Sequence, residues 1–340
     1  MKALYKIHAG DGGVQLKDLP IPEIRDDEIL VKVAFAGICG TDMHVMRDEY
    51  DANLPVIMGH EFSGTVERAG AASDLLPGER VVAMTPGHTC GKCRYCLSGR
   101  LLQCKERKSI GSGMDGCMAE YVIVKADRTY RIPENVSFEE AALTEPIGCC
   151  VRSVIETSRI AAGDYVYVSG PGTIGQLVAQ LAKLSGANVT VAGTSQDADR
   201  LALAKKLGAD HVIDVMQEDV FAAAEQITGG EMFDLVFECA GAAPSADTCL
   251  KLLRKCGQYV QVGLFGKTIS FDMDHALINE KHIVNSFAAE RTSFVTALRL
   301  LQEKKLQLDE LISAVYPLES WEEAFDAAFK KIGYKILLKP

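Results

Sequence analysis

The spacing of apolar and polar positions changes near residue 150. Before it, short alternating or apolar runs, Ile29–Phe35, Gly64–Glu67, Arg80–Met84 and Ala119–Val124, are separated by Pro and Gly signals such as "LPIPE", "LPGER" and "RIPEN". Runs of four to eight residues bounded in this way predict strands, so residues 1–150 read as an irregular, mostly β region. After it, strand-like and helix-like stretches alternate. "DYVYVSG" leads to "TIGQLVAQLAKLSGA", then "NVTVAG", "DRLALAKKLGA" and "HVIDV". The alternation continues through "FDLVFECAG", a helical "PSADTCLKLLRKCG" and the strand "QYVQVGLFG". Strands regularly spaced by amphipathic helices predict a parallel α/β sheet over residues 151–286. Beyond about residue 285 that rhythm ends. A helix around Phe294–Lys304 and a strand-like tail, "YKILLKP", are expected to return to the first region, so that residues 287–340 complete it.

Length and composition narrow the class. A chain of 340 residues exceeds one ordinary core and suggests two domains. No apolar run reaches the roughly 20 residues that span a bilayer, and the start "MKALYKIHAG" has no signal-peptide pattern, so a cytoplasmic location is expected. The net charge of −10 with scattered Lys and Arg argues against a nucleic-acid partner. Eleven cysteines, in a reducing compartment, read as metal ligands or buried small apolar residues rather than as a disulfide framework.

Three motifs carry chemistry. In "YVYVSGPGTIGQLVAQLAKL", Gly170, Gly172 and Gly175 follow a strand and open a helix that begins with Thr173 and Ile174. In that context G-x-G-x-x-G lets backbone approach a dinucleotide pyrophosphate, which sits at the positive helix N-terminus. The acid expected about 20 residues on is replaced by Thr194 or Ser195. Arg200 could receive the 2′-phosphate of NADP, whereas nearby Asp197 and Asp199 would repel it and favour NAD. Second, Cys90, Cys93, Cys96 and Cys104 supply four thiols in one loop, a closed tetrahedral shell for a structural Zn2+. Third, Cys39 in "GICGTDMH", His60 in "GHEF" and Glu145 in "TEPIG" are zinc-ligand types on separate loops. Three protein ligands leave a fourth position open, as catalytic zinc requires.

Taken in order, Cys-Gly-Thr-Asp-x-His, Gly-His-Glu, the four-cysteine lobe, the acid before Pro and the glycine fingerprint resemble the zinc-dependent medium-chain dehydrogenase/reductase family over essentially the whole chain. The resemblance implies a GroES-like catalytic domain and a doubly wound Rossmann domain, with the active site in the cleft between them. It assigns Cys39, His60 and Glu145 to a catalytic zinc and the four-cysteine set to a structural one, with Glu61 as an outer partner or exchangeable ligand. Thr41 and His44 match the family's proton relay. The acid in Thr144-Glu145-Pro146 resembles the sorbitol and polyol dehydrogenases, with threonine and sugar-acid dehydrogenases as further relatives. The activity implied is hydride transfer between a secondary alcohol and NAD(P) by a homodimer or homotetramer. The Arg-Tyr pair of the sorbitol dehydrogenases is absent near Phe287, where Arg291 could bind a carboxylate and favour an aldonate. Two other classes stand against this reading: a zinc-free reductase of the same fold, which would lack Cys39, His60 and Glu145, and a non-enzymatic nucleotide sensor.

Overall fold

The computed structural model describes residues 1–340, which form two compact units, each described separately below. The first comprises Met1–Gly148 and Ala289–Pro340; the second is Cys149–Ala288.

In the first unit a largely antiparallel sheet is built around the long strand Glu28–Gly37, whose burial is nearly continuous. It pairs with Glu61–Ala69 on one side and with Lys335–Lys339 on the other, while Tyr121–Lys125 joins its first half. The C-terminal tail is therefore a strand of this sheet: Leu337 lies opposite Gly37 and Leu338 opposite Ala36. Ile29, Val31, Val33, Phe62, Val66, Val122, Ile336 and Leu338 share its core, with Phe325 from the helix Trp321–Phe329. One strand end and one strand beginning matter most for chemistry. Glu28–Gly37 runs out into Ile38 and Cys39, and Glu61–Ala69 begins beside His60, so the register Gly37 to Glu61 brings the two loops together.

The second unit is a six-stranded, wholly parallel sheet. Its strands, in spatial order, are His211–Asp214, Asn188–Gly193, Tyr165–Ser169, Phe233–Glu238, Leu253–Gln261 and His282–Asn285. The order runs outward both ways from Tyr165–Ser169, so the winding reverses between that strand and Phe233–Glu238. This is the doubly wound arrangement, with ligand crevices at the carboxyl ends of the strands at the reversal. Tyr167, Phe233, Val236 and Tyr259 pack in its core.

One element differs from the sequence pattern. The helix predicted over "PSADTCLKLLRKCG" ends at Leu252, and Leu253 is already in the sheet opposite Phe233. The ladder then bulges, with Cys256 at φ +56 and its N–H donating to Asn279 O, before Gln258 re-enters opposite Leu235. Pairing with a buried strand outweighs the helix-like spacing of the Leu-Leu-Arg-Lys stretch. No helix is long and apolar enough to cross a membrane.

Candidate active site

Cys39 precedes a short helix, Gly40–Met46, and Asp42 in its first turn accepts the Cys39 N–H at 2.9 Å. The same carboxylate, buried to 1%, reaches back with its other oxygen to His60 Nδ1 at 3.3 Å. One aspartate thus fixes the thiol's backbone and the imidazole's tautomer, leaving Nε2 as the nitrogen available to a metal. Gly59, at φ +91, makes the turn that delivers His60. A Cβ there would lie 2.5 Å from Met118 Cγ, so the turn and its packing both require glycine.

Glu61 follows on the strand, buried to 1%, with its carboxylate laid over Gly37, where a Cβ would come within 2.4 Å of Oε2. Lys335, itself 3% exposed, donates to Glu61 Oε2 at 2.5 Å and to Ile38 O at 2.9 Å. Burial works against the Lys335 ammonium, but Glu61 and neighbouring Cys39 raise its pKa above the ordinary lysine value. His60 is also raised well above 6.5: burial opposes its charge, and Asp42 and Cys39 outweigh that.

Cys39, His60 and Glu61 each bring a ligand atom within 4.8 Å of the others. Thiolate, imidazole and carboxylate are the donors of a catalytic zinc, and the set fits that ion. Glu145 stands outside this tight group, buried in the first turn of the helix Thr144–Val151. Of the two carboxylates the sequence offers, the one expected as an outer or exchangeable ligand, Glu61, is the one that joins Cys39 and His60. Asp42 and Lys335 were missed; neither forms a motif, and Lys335 lies 274 residues from Glu61. Thr41 is at the site, its hydroxyl oxygen 3.8 Å from the Cys39 thiol, while His44 pairs with Glu49 at 2.7 Å near the surface.

The four-cysteine loop closes on itself. Sγ–Sγ distances are 3.6 Å for Cys90–Cys104, 3.6 Å for Cys93–Cys96 and 3.9 Å for Cys90–Cys96. A tetrahedron with Zn–S bonds of about 2.3 Å separates its sulfurs by about 3.8 Å, so the loop has the dimensions of the ion. Backbone N–H groups of Cys90, Cys93 and Glu106 point at these sulfurs. The N–H of Cys96 holds the Cys93 thiol down at about 6, whereas burial pushes Cys96 up to about 11.

In the second unit, Gly170, at φ +95, and Gly175 are both closed to side chains: a Cβ would lie 2.8 Å from Ala240 Cα at the first and 1.9 Å from Gly170 O at the second. Gly172 faces open space at the head of the twelve-residue helix Thr173–Leu184, the end of a helix at which backbone N–H groups favour an anion. At the neighbouring strand end, Thr194 donates to Asp197 at 2.8 Å and Ser195 to Asp214 at 2.7 Å, while Arg200 lies 3.7 Å from Asp197. Arg291 belongs to the first unit, where its guanidinium is engaged by the Asp127 carboxylate at 2.6 Å and by the Asp127 carbonyl.

The chain matches two family descriptions, "Alcohol dehydrogenase GroES-like domain" over residues 25–134 and "Zinc-binding dehydrogenase" over residues 173–303. It is 38% identical to the D-arabitol-phosphate dehydrogenase of Enterococcus avium, covering 100% of this chain and 97% of the relative. It is also 38% identical to a sorbitol dehydrogenase of Halalkalibacterium halodurans, covering 100% and 99%. Among solved structures it resembles galactitol-1-phosphate dehydrogenase from Escherichia coli, with a TM-score of 0.91, 30% identity and full coverage of both chains. A zinc-binding dehydrogenase from Sinorhizobium meliloti bound to NADP gives a TM-score of 0.90 at 32% identity, covering 100% and 99%.

Proposed function

The chain belongs to the zinc-dependent medium-chain dehydrogenase family, as an oxidoreductase moving a hydride between an alcohol or polyol and NAD(P), and from that premise we propose how its residues divide the work. The observation that carries the reading is the convergence of Cys39, His60 and Glu61 on one point. Cys39 and His60 would hold the catalytic zinc with one carboxylate, Glu61 in the arrangement present and Glu145 as the alternative. Zinc, when bound, supplies Lewis acidity that makes a hydroxyl acidic at neutral pH.

The chain's own residues do the rest. Asp42 orients Cys39 and His60. Lys335 balances the buried carboxylate of Glu61. Thr41, beside the thiol, is the first hydroxyl on a proton path that His44 would complete toward the surface. Cys90, Cys93, Cys96 and Cys104 would hold the second, structural zinc. Gly170, Gly172 and Gly175, with the N–H groups of Thr173 and Ile174, would take the pyrophosphate. Of the two cofactors NAD is favoured, because a 2′-phosphate at Thr194 and Ser195 would face the carboxylates of Asp197 and Asp214, with Arg200 already turned to Asp197.

The substrate proposed is a polyol. Phosphorylated polyols enter as a second reading, because two relatives are dehydrogenases of such compounds. Aldonates lose their main support, since Arg291 is engaged by Asp127, and L-threonine remains an arm of the test. Eleven free cysteines, four of them gathered as metal ligands, support a reducing cytoplasm. A homodimer, alone or within a tetramer, is favoured by the open edge strand His282–Asn285. The test is nicotinamide reduction with NAD and NADP separately, against free polyols, polyol phosphates, aldonates and L-threonine. Turnover of a polyol class that disappears in Cys39→Ser supports the reading. A zinc- and cofactor-loaded protein inert toward every class, yet binding nucleotide, would favour the sensor.

A further inference from the structure

The carboxyl edge of the parallel sheet holds a buried carboxylate that the chemistry above leaves unused. Glu238 ends the strand Phe233–Glu238 and is 0% exposed. Its Oε1 accepts Ala240 N–H at 3.1 Å, Gly241 N–H at 3.0 Å and Ser245 Oγ at 2.7 Å, and its Oε2 accepts Gln261 Nε2 at 2.9 Å. Each of these donors is neutral. The chain of hydrogen bonds runs on in both directions. Ser169 Oγ, at the end of the strand Tyr165–Ser169, lies 2.7 Å from Ser245 Oγ, and Gln261 accepts Tyr259 OH at 2.7 Å while donating to Gly263 O at 2.7 Å. A single carboxylate therefore ties together the ends of three adjacent strands. An amide could not replace it without loss, because its NH2 would confront an N–H or O–H donor.

The place matters as much as the network. Ser169 and Glu238 end the two strands where the winding reverses, and the crevice outside that reversal is where open α/β sheets bind their ligand. The Cys239–Gly241 loop packs against the glycine turn, with Ala240 Cα 2.8 Å from a Cβ built on Gly170. The Val262–Leu264 loop closes on it in turn: a Cβ on Gly263 would lie 2.6 Å from Gly241 N and 2.8 Å from Glu238 Oε2. By strand order, Thr194 and Ser195 lie on one side of the glycine turn and these two loops on the other. A dinucleotide whose pyrophosphate sits at the turn, with its adenosine over Thr194, must lay its nicotinamide half along the Glu238 side.

We propose that Glu238 is a positioning residue for the nicotinamide half of the dinucleotide, acting through the two loops it binds. The inference rests on dinucleotide binding by the Cys149–Ala288 unit. Two ligands separate the cases: the reduced dinucleotide that the wild type binds, titrated by its nicotinamide fluorescence, and ADP-ribose, which lacks nicotinamide, titrated by calorimetry. Glu238→Gln is expected to weaken the dinucleotide about tenfold and to leave ADP-ribose within about twofold. Ser245→Ala, which removes one arm and keeps the charge, shifts the dinucleotide the same way by less, and it carries the test alone should Glu238→Gln fail to fold. Equal losses for both ligands, or no change in either, overturn the positioning role. A folded wild type that binds neither ligand overturns the dinucleotide reading beneath it.

Discussion

Asp42 is where a single atom substitution tells most about the metal centre. Its two oxygens serve Cys39 N–H and His60 Nδ1, so Asp42→Asn keeps the volume while one of those bonds is lost or reversed. Outer partners of metal-bound histidines are worth 10–100-fold in affinity. Zinc at the Cys39 centre is therefore expected to weaken by about tenfold or more, read by competition with a chelator, while the four-cysteine zinc stays. Lys335→Met asks a different question. It strands the Glu61 carboxylate in a site that is 1% exposed, and breaking a buried pair on one side costs about 3–5 kcal/mol. The denaturation midpoint of the metal-free protein should fall accordingly, and adding Glu61→Gln should recover part of the loss. Equal stability of wild type and Lys335→Met would mean that the pair is not held in solution. The residue scale also marks what the sequence hides. Cysteines at regular spacing announce themselves in one loop, whereas the Lys335–Glu61 pair comes from two strands, distant in sequence, that flank Glu28–Gly37 on opposite sides.

Elements were legible where the pattern carried its own boundary. "YVYVSGPGTIGQ" becomes the strand Tyr165–Ser169 and the helix Thr173–Leu184 because glycines enforce the turn between them. The stretch Leu253–Gly257 was not legible, since its strand character comes from pairing with Phe233 and not from its own spacing. One junction between elements can be weighed by pH. Asp210, leading into His211–Asp214, accepts Lys183 Nζ at 2.7 Å from the end of the helix Thr173–Leu184 and the Val189 N–H at 2.7 Å. Burial raises its carboxyl, but Lys183 and the N–H outweigh this, and it titrates below its ordinary 3.8. A carboxylate depressed on folding adds stability that is present at neutral pH and is lost as pH falls through its folded value, below about 4. Asp210→Asn should therefore cost about 1 kcal/mol near pH 7, for a partly exposed pair with one backbone bond. The gap to wild type should shrink as the pH is lowered past 4, and denaturant titrations at pH 7 and pH 3.5 would show it. A gap that widens in acid would contradict the assignment.

For the whole molecule, the second unit ends its sheet on an unpaired edge. His282–Asn285 pairs on one side only, with Gln258–Gln261, and the adjoining helix exposes Met273 at 59%, Leu277 at 75% and Ile278 at 79%. A parallel sheet buried on both faces with one bare edge and three bare apolar side chains beside it carries the marks of a surface made for covering. A twofold axis normal to the sheet would place two copies of His282–Asn285 antiparallel, continuing the ladder with every backbone group paired and the two helices beside it sharing their apolar tips. The opposite edge, His211–Asp214, lacks such a cluster: its nearest exposed apolar residues are Val215 and Met216 on the following turn. Ile278→Lys with Leu277→Asp, two exposed positions that carry no core, should leave each chain folded and lower the mass read by light scattering relative to the wild type. Zinc content should stay unchanged in this variant, since both donor clusters lie in Met1–Gly148. A wild type already monomeric at micromolar concentration would instead make the bare edge a site for some other strand.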